Sequence, residues 1–499
     1  MKKDVVLVGF YNEKALGVRY LYNALKEHGF NPHIIFFKGF SSNLPQKATA
    51  EELELLQELI AGIDPLFVGL SVMSSLYLET TYLVNDAIRA KFDVPILWGG
   101  VFATLEPFKA LEYCDYVMRG EGEDTVVEAA RALASGQRPT DILNIAYLDE
   151  SGQLVQNELR PIGDIDRFGY PPIGSDNLYM IHNNECKPGD PQLGAFTYEL
   201  CASRGCPFTC SYCSAINLRR LYSGKGKYVR FRSVDSVIQE LKEAKSKLSR
   251  MRVVHFWDEI FSDAPGWVED FSQRYKTEIG IPFRIWGHPL KTSERVISNL
   301  VDAGLHQVVV GIQSGSPAVR KDVFNRHETQ EEILECSRVL SRCGVPKVYY
   351  DFMLCHPFES LEQLRETFDL CMELEPPFLL NVHGLNFLPA TDIVQMALEQ
   401  DKYTPEQMDS MMYSTIQEQY DQYWGPNAQS FQAASDSNVW IALIRLTQFH
   451  DIKDKVLALS EKVKNGQGTD EVFALVNKME KKQKRKDFVG KVKLVLKVK

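Results

Sequence analysis

The chain has 499 residues, enough for two or three domains with separate cores, and its 44% hydrophobic and 24% charged content is that of an average soluble globular protein. A formal net charge of -10 excludes a general polyanion binder, so no nucleic-acid partner is expected. No apolar run approaches the roughly 20 residues that span a bilayer, and the N-terminus lacks the shape of a signal peptide, so a cytoplasmic protein is expected.

Residues 5–9 read as a buried strand and 16–28 as a helix ended by Gly29. Strands at 33–37, 67–72, 94–98 and 116–118 follow, with helices at 50–61 and 78–92 between them. This alternation predicts a doubly wound, Rossmann-like parallel sheet over residues 1–140. Ligands bind such sheets at the carboxyl ends of the strands, which here carry Gly9, Ser71, Gly99-Gly100 and Gly120-Glu121-Gly122-Glu123. Residues 141–190 are Pro-rich and irregular and are expected to be a connector, with a small hairpin at 145–148 and 154–156.

A second alternation occupies residues 191–390. Its strands are expected at 195–202, 252–257, 282–286, 307–311, 347–354 and 381–387, with helices at 234–248, 293–303, 330–343 and 361–374. Six βα units are too few for a closed eight-stranded barrel and predict a partial (β/α)6 barrel, with chemistry at the strand ends. Residues 391–499 read as a mainly helical region, with strand-like alternation only at 492–498. The chain ends in a basic tail: residues 478–499 carry a net charge of +8.

Ten cysteines are scattered through a chain expected in a reducing compartment, so a disulfide framework is not expected, yet four of them lie between 201 and 213. Cys206, Cys210 and Cys213 form a CxxxCxxC loop just after the first strand of the second alternation. Three thiolates can hold three irons of a cubane and leave the fourth open, whereas four-Cys ferredoxin motifs close every position. A zinc site using Cys201 as fourth ligand is the alternative, although zinc sites usually draw on two separated pairs.

The loop, with Tyr212 just before its third Cys, resembles that of the radical S-adenosylmethionine (SAM) superfamily. The resemblance implies a 4Fe–4S cluster on Cys206, Cys210 and Cys213, SAM on the unique iron, and reductive cleavage of SAM to a 5′-deoxyadenosyl radical. Such a radical attacks C–H bonds that acid–base catalysis cannot touch. Further segments follow in the family's order: Arg230-Phe231-Arg232-Ser233, Phe256-Trp257-Asp258-Glu259-Ile260-Phe261, Val310-Gly311-Ile312-Gln313-Ser314-Gly315-Ser316 and Asp351-Phe352-Met353-Leu354-Cys355-His356-Pro357. They place Tyr212, Arg230, Asp258, Glu259, Gln313 and Ser314 as the expected SAM contacts. Many relatives have Glu where this chain has Gln313.

The first domain resembles the cobalamin-binding domains fused to radical SAM cores, through Leu16-Gly17-Val18-Arg19-Tyr20-Leu21, Gly69-Leu70-Ser71-Val72-Met73-Ser74, Trp98-Gly99-Gly100-Val101-Phe102-Ala103-Thr104 and Arg119-Gly120-Glu121-Gly122-Glu123. By that resemblance Asn12, Lys14, Gly17, Ser71, Gly99, Gly100, Gly120 and Glu121 are the expected cobalamin contacts. Methionine-synthase-like domains supply a cobalt-ligating His from DxHxxG; this chain has Asn12-Glu13-Lys14-Ala15-Leu16-Gly17, and a protonated Lys is a poor cobalt ligand.

The reaction expected is cobalamin-dependent C-methylation of an unactivated carbon, with radical cyclisation, C–C coupling or rearrangement as the second enzymatic reading. A non-catalytic iron–sulfur redox or cobalamin sensor is the third. An electron donor such as flavodoxin or ferredoxin is implied, together with a small-molecule, peptide or lipid substrate. The basic tail suits peripheral contact with an anionic membrane. His255, His288, His306, His356, His383 and Cys355 lie near strand ends and read more simply as structural side chains than as catalysts.

Overall fold

The computed structural model describes residues 3–40, 46–354, 356–423 and 436–496; Cys355 and the end of the expected strand at 492–498 lie outside them. The chain divides into two compact units. One comprises Met1–Trp286, Asp302–Gly304 and Asn386–Tyr420, the other Gly287–Val301, Leu305–Leu385 and Asp421–Lys499. The division passes through the region expected as a single barrel domain, residues 191–390. Within the first unit, ion pairs join Arg204 to Glu123 and Arg230 to Glu121.

In the first unit a nine-stranded sheet is built from β1 (Asp4–Phe10), β2 (Asn31–Phe37), β3 (Val68–Ser71), β4 (Ile96–Gly99), β5 (Tyr116–Met118), β6 (Ile145–Leu148), β7 (Leu154–Gln156), β8 (Leu178–His182) and β9 (Glu185–Pro188), in the order β7-β6-β5-β4-β3-β1-β2-β8-β9. The five strands β1–β5 run parallel, as the alternation predicts. Apolar residues line both faces of β1. Val6 and Val8 enter one core layer with Leu56, Ile60 and Val84, while Val5 and Leu7 enter the other with Leu25 and Val126. The helix Ala50–Ile63 is started by a capping box between Thr49 and Glu52.

The connector is less irregular than expected. Its hairpin β6–β7 forms where predicted, but β8 also pairs in parallel with β2, and β9 returns antiparallel to β8. Asn183 and Asn184, at φ 52° and 59°, make the two-residue turn between them.

The same unit contains β10 (Thr197–Leu200), β11 (Ser203–Arg204), β12 (Arg230–Phe231), β13 (Val253–Phe256) and β14 (Phe283–Gly287). Strands β10, β13 and β14 are parallel neighbours, and β11 pairs antiparallel with β12. In the second unit β15 (Leu305–Gln313), β16 (Lys347–Met353) and β17 (Leu379–His383) are parallel neighbours. Helices Gln330–Arg342 and Leu361–Glu373 accompany them, each opened by a capping box. The C-terminal region is helical as expected, but helix Thr469–Leu496 runs through residues 492–496, where a strand was expected. The helix is carried from a run of good helix formers, Lys478 to Lys486, through Gly490 into the Lys/Val alternation. Among the described residues no helix is long and apolar enough to cross a membrane.

Candidate functional site

The cysteine loop hangs from the two-stranded clamp β11–β12, in which Ser203 faces Phe231 and Arg204 faces Arg230. Gly205 begins it at φ 89°, where a Cβ would stand 2.5 Å from the Tyr228 carbonyl oxygen, so only glycine fits. The Cys213 amide donates to the Cys210 carbonyl at 3.2 Å, closing a turn that leads into helix Ser214–Leu221. Two further bonds fix the loop: the Ile393 amide donates to the Ser211 carbonyl (3.0 Å) and Arg219 Nη1 to the Pro207 carbonyl (2.8 Å).

Burial pushes the Cys206 thiol up to about 12 and the Cys213 thiol up to about 11, with the charges of Glu259 and Cys210 adding to the rise. Thiolates placed this way require a cation to stabilise them. Among the described residues no three His, Cys, Asp or Glu side chains converge closely enough to hold a single metal ion. A zinc ion needs its ligands within about 2.3 Å of one centre. A cubane takes one thiolate per iron and tolerates a wider spread. The donor set fits the cubane.

The expected SAM contacts do not all behave alike. Asp258 is buried: its carboxylate accepts from the Ala202 amide at 3.1 Å and from the Ser203 hydroxyl, and burial raises it to about 6 despite those bonds. It braces the root of the loop instead of facing a ligand. Glu259, also raised by burial, lines an open cavity. Tyr212 lies in the loop between Cys210 and Cys213. Gln313 ends β15 in the second unit, held at φ 74° beside a bulge, and Ser314 follows it, fully buried.

The cavity encloses about 370 Å³. Its lining joins the strand ends of the nine-stranded sheet to the cysteine segment. Gly17, Ser71, Gly99, Gly100, Gly120 and Glu121 of the expected cobalamin set line it; so do Glu259 and Arg230 of the expected SAM set. Two glycines form its cradle. A Cβ on Gly100 (φ 97°) would meet the Val72 carbonyl oxygen at 2.6 Å, and one on Gly120 (φ 72°) the Tyr222 hydroxyl at 2.0 Å. Small residues and exposed backbone at the carboxyl ends of a parallel sheet suit a flat macrocycle with a long tail. The residues present therefore fit a corrin.

Asn12 and Lys14 do not line the cavity. The Lys14 amide donates to Asn12 Oδ1 at 2.8 Å, and the Lys14 ammonium pairs with Glu199. Arg230 and Glu121 were expected on two different ligands, yet each occupies the other: Arg230 Nη1 donates to Glu121 Oε2 at 3.2 Å. Arg204 completes the group, pairing with Glu123 and standing 3.6 Å from Glu121. Burial alone would raise Glu121, but the bonds and charges of Arg230 and Arg204 outweigh it and hold the carboxyl below its ordinary value. Their role is to join strand ends, because a side chain in a tight ion pair has little left for a ligand. Sequence reasoning missed Tyr222, Tyr228, Arg204 and Trp257 as lining residues. Trp257 and Arg204 carried a signal, Trp257 inside a strand-end segment and Arg204 two residues before Cys206.

Comparisons with known proteins agree with this layout. The Radical SAM superfamily profile matches residues 200–371, and the B12 binding domain profile residues 2–130. An uncharacterized methyltransferase of Pyrococcus horikoshii is 27% identical over 333 residues, 65% of this chain and 68% of the relative. An anaerobic magnesium-protoporphyrin IX monomethyl ester cyclase of Cereibacter sphaeroides is 24% identical over 72% of this chain, which spans 56% of that relative's length. Among solved structures, the radical SAM methyltransferase TsrM from Kitasatospora setae, with cobalamin and a [4Fe-4S] cluster bound, superposes with a TM-score of 0.64 at 18% identity, over 80% of this chain and 78% of that one. The cobalamin-dependent SAM radical enzyme OxsB gives 0.62 at 16% identity, over 92% and 71%. At these identities the likeness is one of fold: a B12-type domain followed by a partial barrel.

Proposed function

The chain is a radical SAM enzyme that carries a B12-binding domain, and from that premise we propose that it methylates an unactivated carbon of its substrate in a cobalamin-dependent reaction. The observation that carries this reading is the shared cavity, in which the glycine cradle faces Glu259 and Tyr228. Tyr228 in turn lies within electrostatic reach of Cys206 and Cys213. Bound there, the cluster would supply the electron that cleaves SAM and the corrin a methyl carrier.

The chain's own residues hold and shield. Cys206, Cys210 and Cys213 would ligate the cluster, one thiolate to an iron. Glu259 and Tyr212 would meet SAM, and Gly17, Ser71, Gly99, Gly100 and Gly120 would let the corrin approach the backbone. Apolar side chains such as Leu16, Leu21, Val101 and Met118 line the cavity and keep water from a reactive radical. A one-electron reductant is required, for which a flavodoxin or ferredoxin is suited. Exposed Lys478, Lys481, Lys482, Lys484 and Arg485 form a basic strip that suits an anionic membrane; absence of binding to phosphatidylserine vesicles at low salt would end that part of the proposal.

The deciding experiment is product analysis with anaerobically reconstituted protein. Methylation yields both S-adenosylhomocysteine and 5′-deoxyadenosine. The cyclase relative favours a second reading, radical ring closure, which yields 5′-deoxyadenosine without S-adenosylhomocysteine.

A further inference from the structure

One face of β10, β13 and β14 carries a set of side chains that neither the cluster loop nor the glycine cradle uses. Glu199, His255 and Arg284 stand at equivalent register positions on the three neighbouring strands. Two residues further along are Trp257 and Trp286, on the same face because side chains alternate along a strand. The opposite face, with Val254, Phe256, Phe283 and Ile285, is buried in the core.

The three rings form a tilted platform. His255 lies 4.2 Å from Trp257 and 6.3 Å from Trp286, and the two indoles are 5.9 Å apart at 34°. Trp257 is 45% exposed and lines the cavity, an unusual place for a large apolar ring without a ligand. Trp286 Nε1 is buried and has no hydrogen-bond partner. The charges in the lower row are unequal. Lys14 neutralises Glu199, and burial first, then the charges of Arg284 and Lys14, depress His255 to about 4 and leave it neutral. Among the described residues no hydrogen bond or ion pair engages the Arg284 guanidinium. An exposed aromatic ring and an uncompensated guanidinium thus share one face.

On the reading of the chain as a radical SAM enzyme acting on a substrate carbon, we infer that its substrate is a planar aromatic acid. The ring system stacks on Trp257, and the carboxylate meets the Arg284 guanidinium. Offset stacking supplies the preference for flat rings, and the forked guanidinium supplies the preference for a carboxylate over a neutral isostere.

The test is a binding titration of the full-length reconstituted protein with indole-3-acetate, its uncharged amide, and cyclohexylacetate. Indole-3-acetate should bind at least about tenfold more tightly than either of the others. Arg284→Gln should bring acid and amide together, Arg284→Lys should recover part of the difference, and Trp257→Leu should erase the preference for indole over cyclohexyl. Equal binding of all three probes, or of none, overturns the inference. Displacement of the bound acid by S-adenosylhomocysteine also overturns it, by assigning the platform to the co-substrate. SAM cleavage by the same preparation is read separately. Selective binding without 5′-deoxyadenosine formation would sink the proposed reaction and leave the aromatic-acid site standing; the reverse pattern would sink this inference alone.

Discussion

Glu121 and Arg230, 109 residues apart in the chain, are ion-pair partners, and each also faces the cavity. The pair links the carboxyl end of β5 in the nine-stranded sheet to the clamp that carries the cysteine loop. The two halves of the site are therefore registered by a contact that involves neither cofactor.

Glu121→Gln should destabilise the protein by about 2–3 kcal/mol, less than for a fully buried pair because the Glu121 side chain is 21% exposed. Glu121 is held below its ordinary value of 4.5, so its contribution is fully present above that pH and is lost as the pH falls through the lower folded value. Denaturant midpoints of wild type and variant should differ at pH 7 and converge in acid. Equal midpoints at pH 7 would show that the pair is energetically idle.

Cys210→Ala should abolish iron and sulfide retention and 5′-deoxyadenosine formation while the N-terminal sheet stays folded by circular dichroism. SAM cleavage that persists in this variant would refute the ligand assignment.

Gly120→Ala forces an L-residue into the left-handed region, a cost of about 1–2 kcal/mol, and drives its Cβ into the Tyr222 hydroxyl. The bound-corrin-to-protein ratio should fall. Adding Tyr222→Phe should return about 0.5–1 kcal/mol of stability, because the two sites are in contact. Strict additivity in thermal melts would mean that the hydroxyl is not the obstacle.

Glu359 in the second unit is buried 3.8 Å from His356 Nε2, with one carboxylate oxygen unpartnered, and burial raises it to about 8. Between its ordinary value of 4.5 and about 8, the folded chain keeps a proton that the unfolded chain has released, so stability falls as the pH rises across that window. His356, depressed by burial to about 4, titrates below it. Glu359→Gln should gain on the wild type by at most about 1.4 kcal/mol per pH unit between pH 5 and 8. Parallel stability profiles would contradict the shifted carboxyl.

Much of the fold was legible because period and punctuation agreed. The parallel strands β1–β5 and the hairpin β6–β7 follow from apolar runs closed by glycines. The β8–β9 hairpin escaped because Asn183-Asn184 is a weaker turn signal than Asn-Gly and lies in a Pro-rich stretch. The expected strand at 492–498 was misread because residue alternation says nothing about whether a sheet edge is available. In the candidate site, spacing alone singles out Cys206, Cys210 and Cys213 as candidate ligands. Arg230, Glu121, Asp258 and Lys14 could not be assigned correctly, since a charged strand-end residue looks the same whether it meets a ligand or another side chain. Pairings such as Lys14 with Glu199 exist only once the chain is folded.

Helix Ser214–Leu221 begins at Cys213 and ends at Tyr222, whose hydroxyl accepts the Glu121 amide proton at 2.7 Å. A rigid rod of about 12 Å thus stands between one of the proposed cluster ligands and the glycine cradle. Order of loading should matter in the test tube: vitamin uptake measured before iron is installed will understate what the finished enzyme can hold.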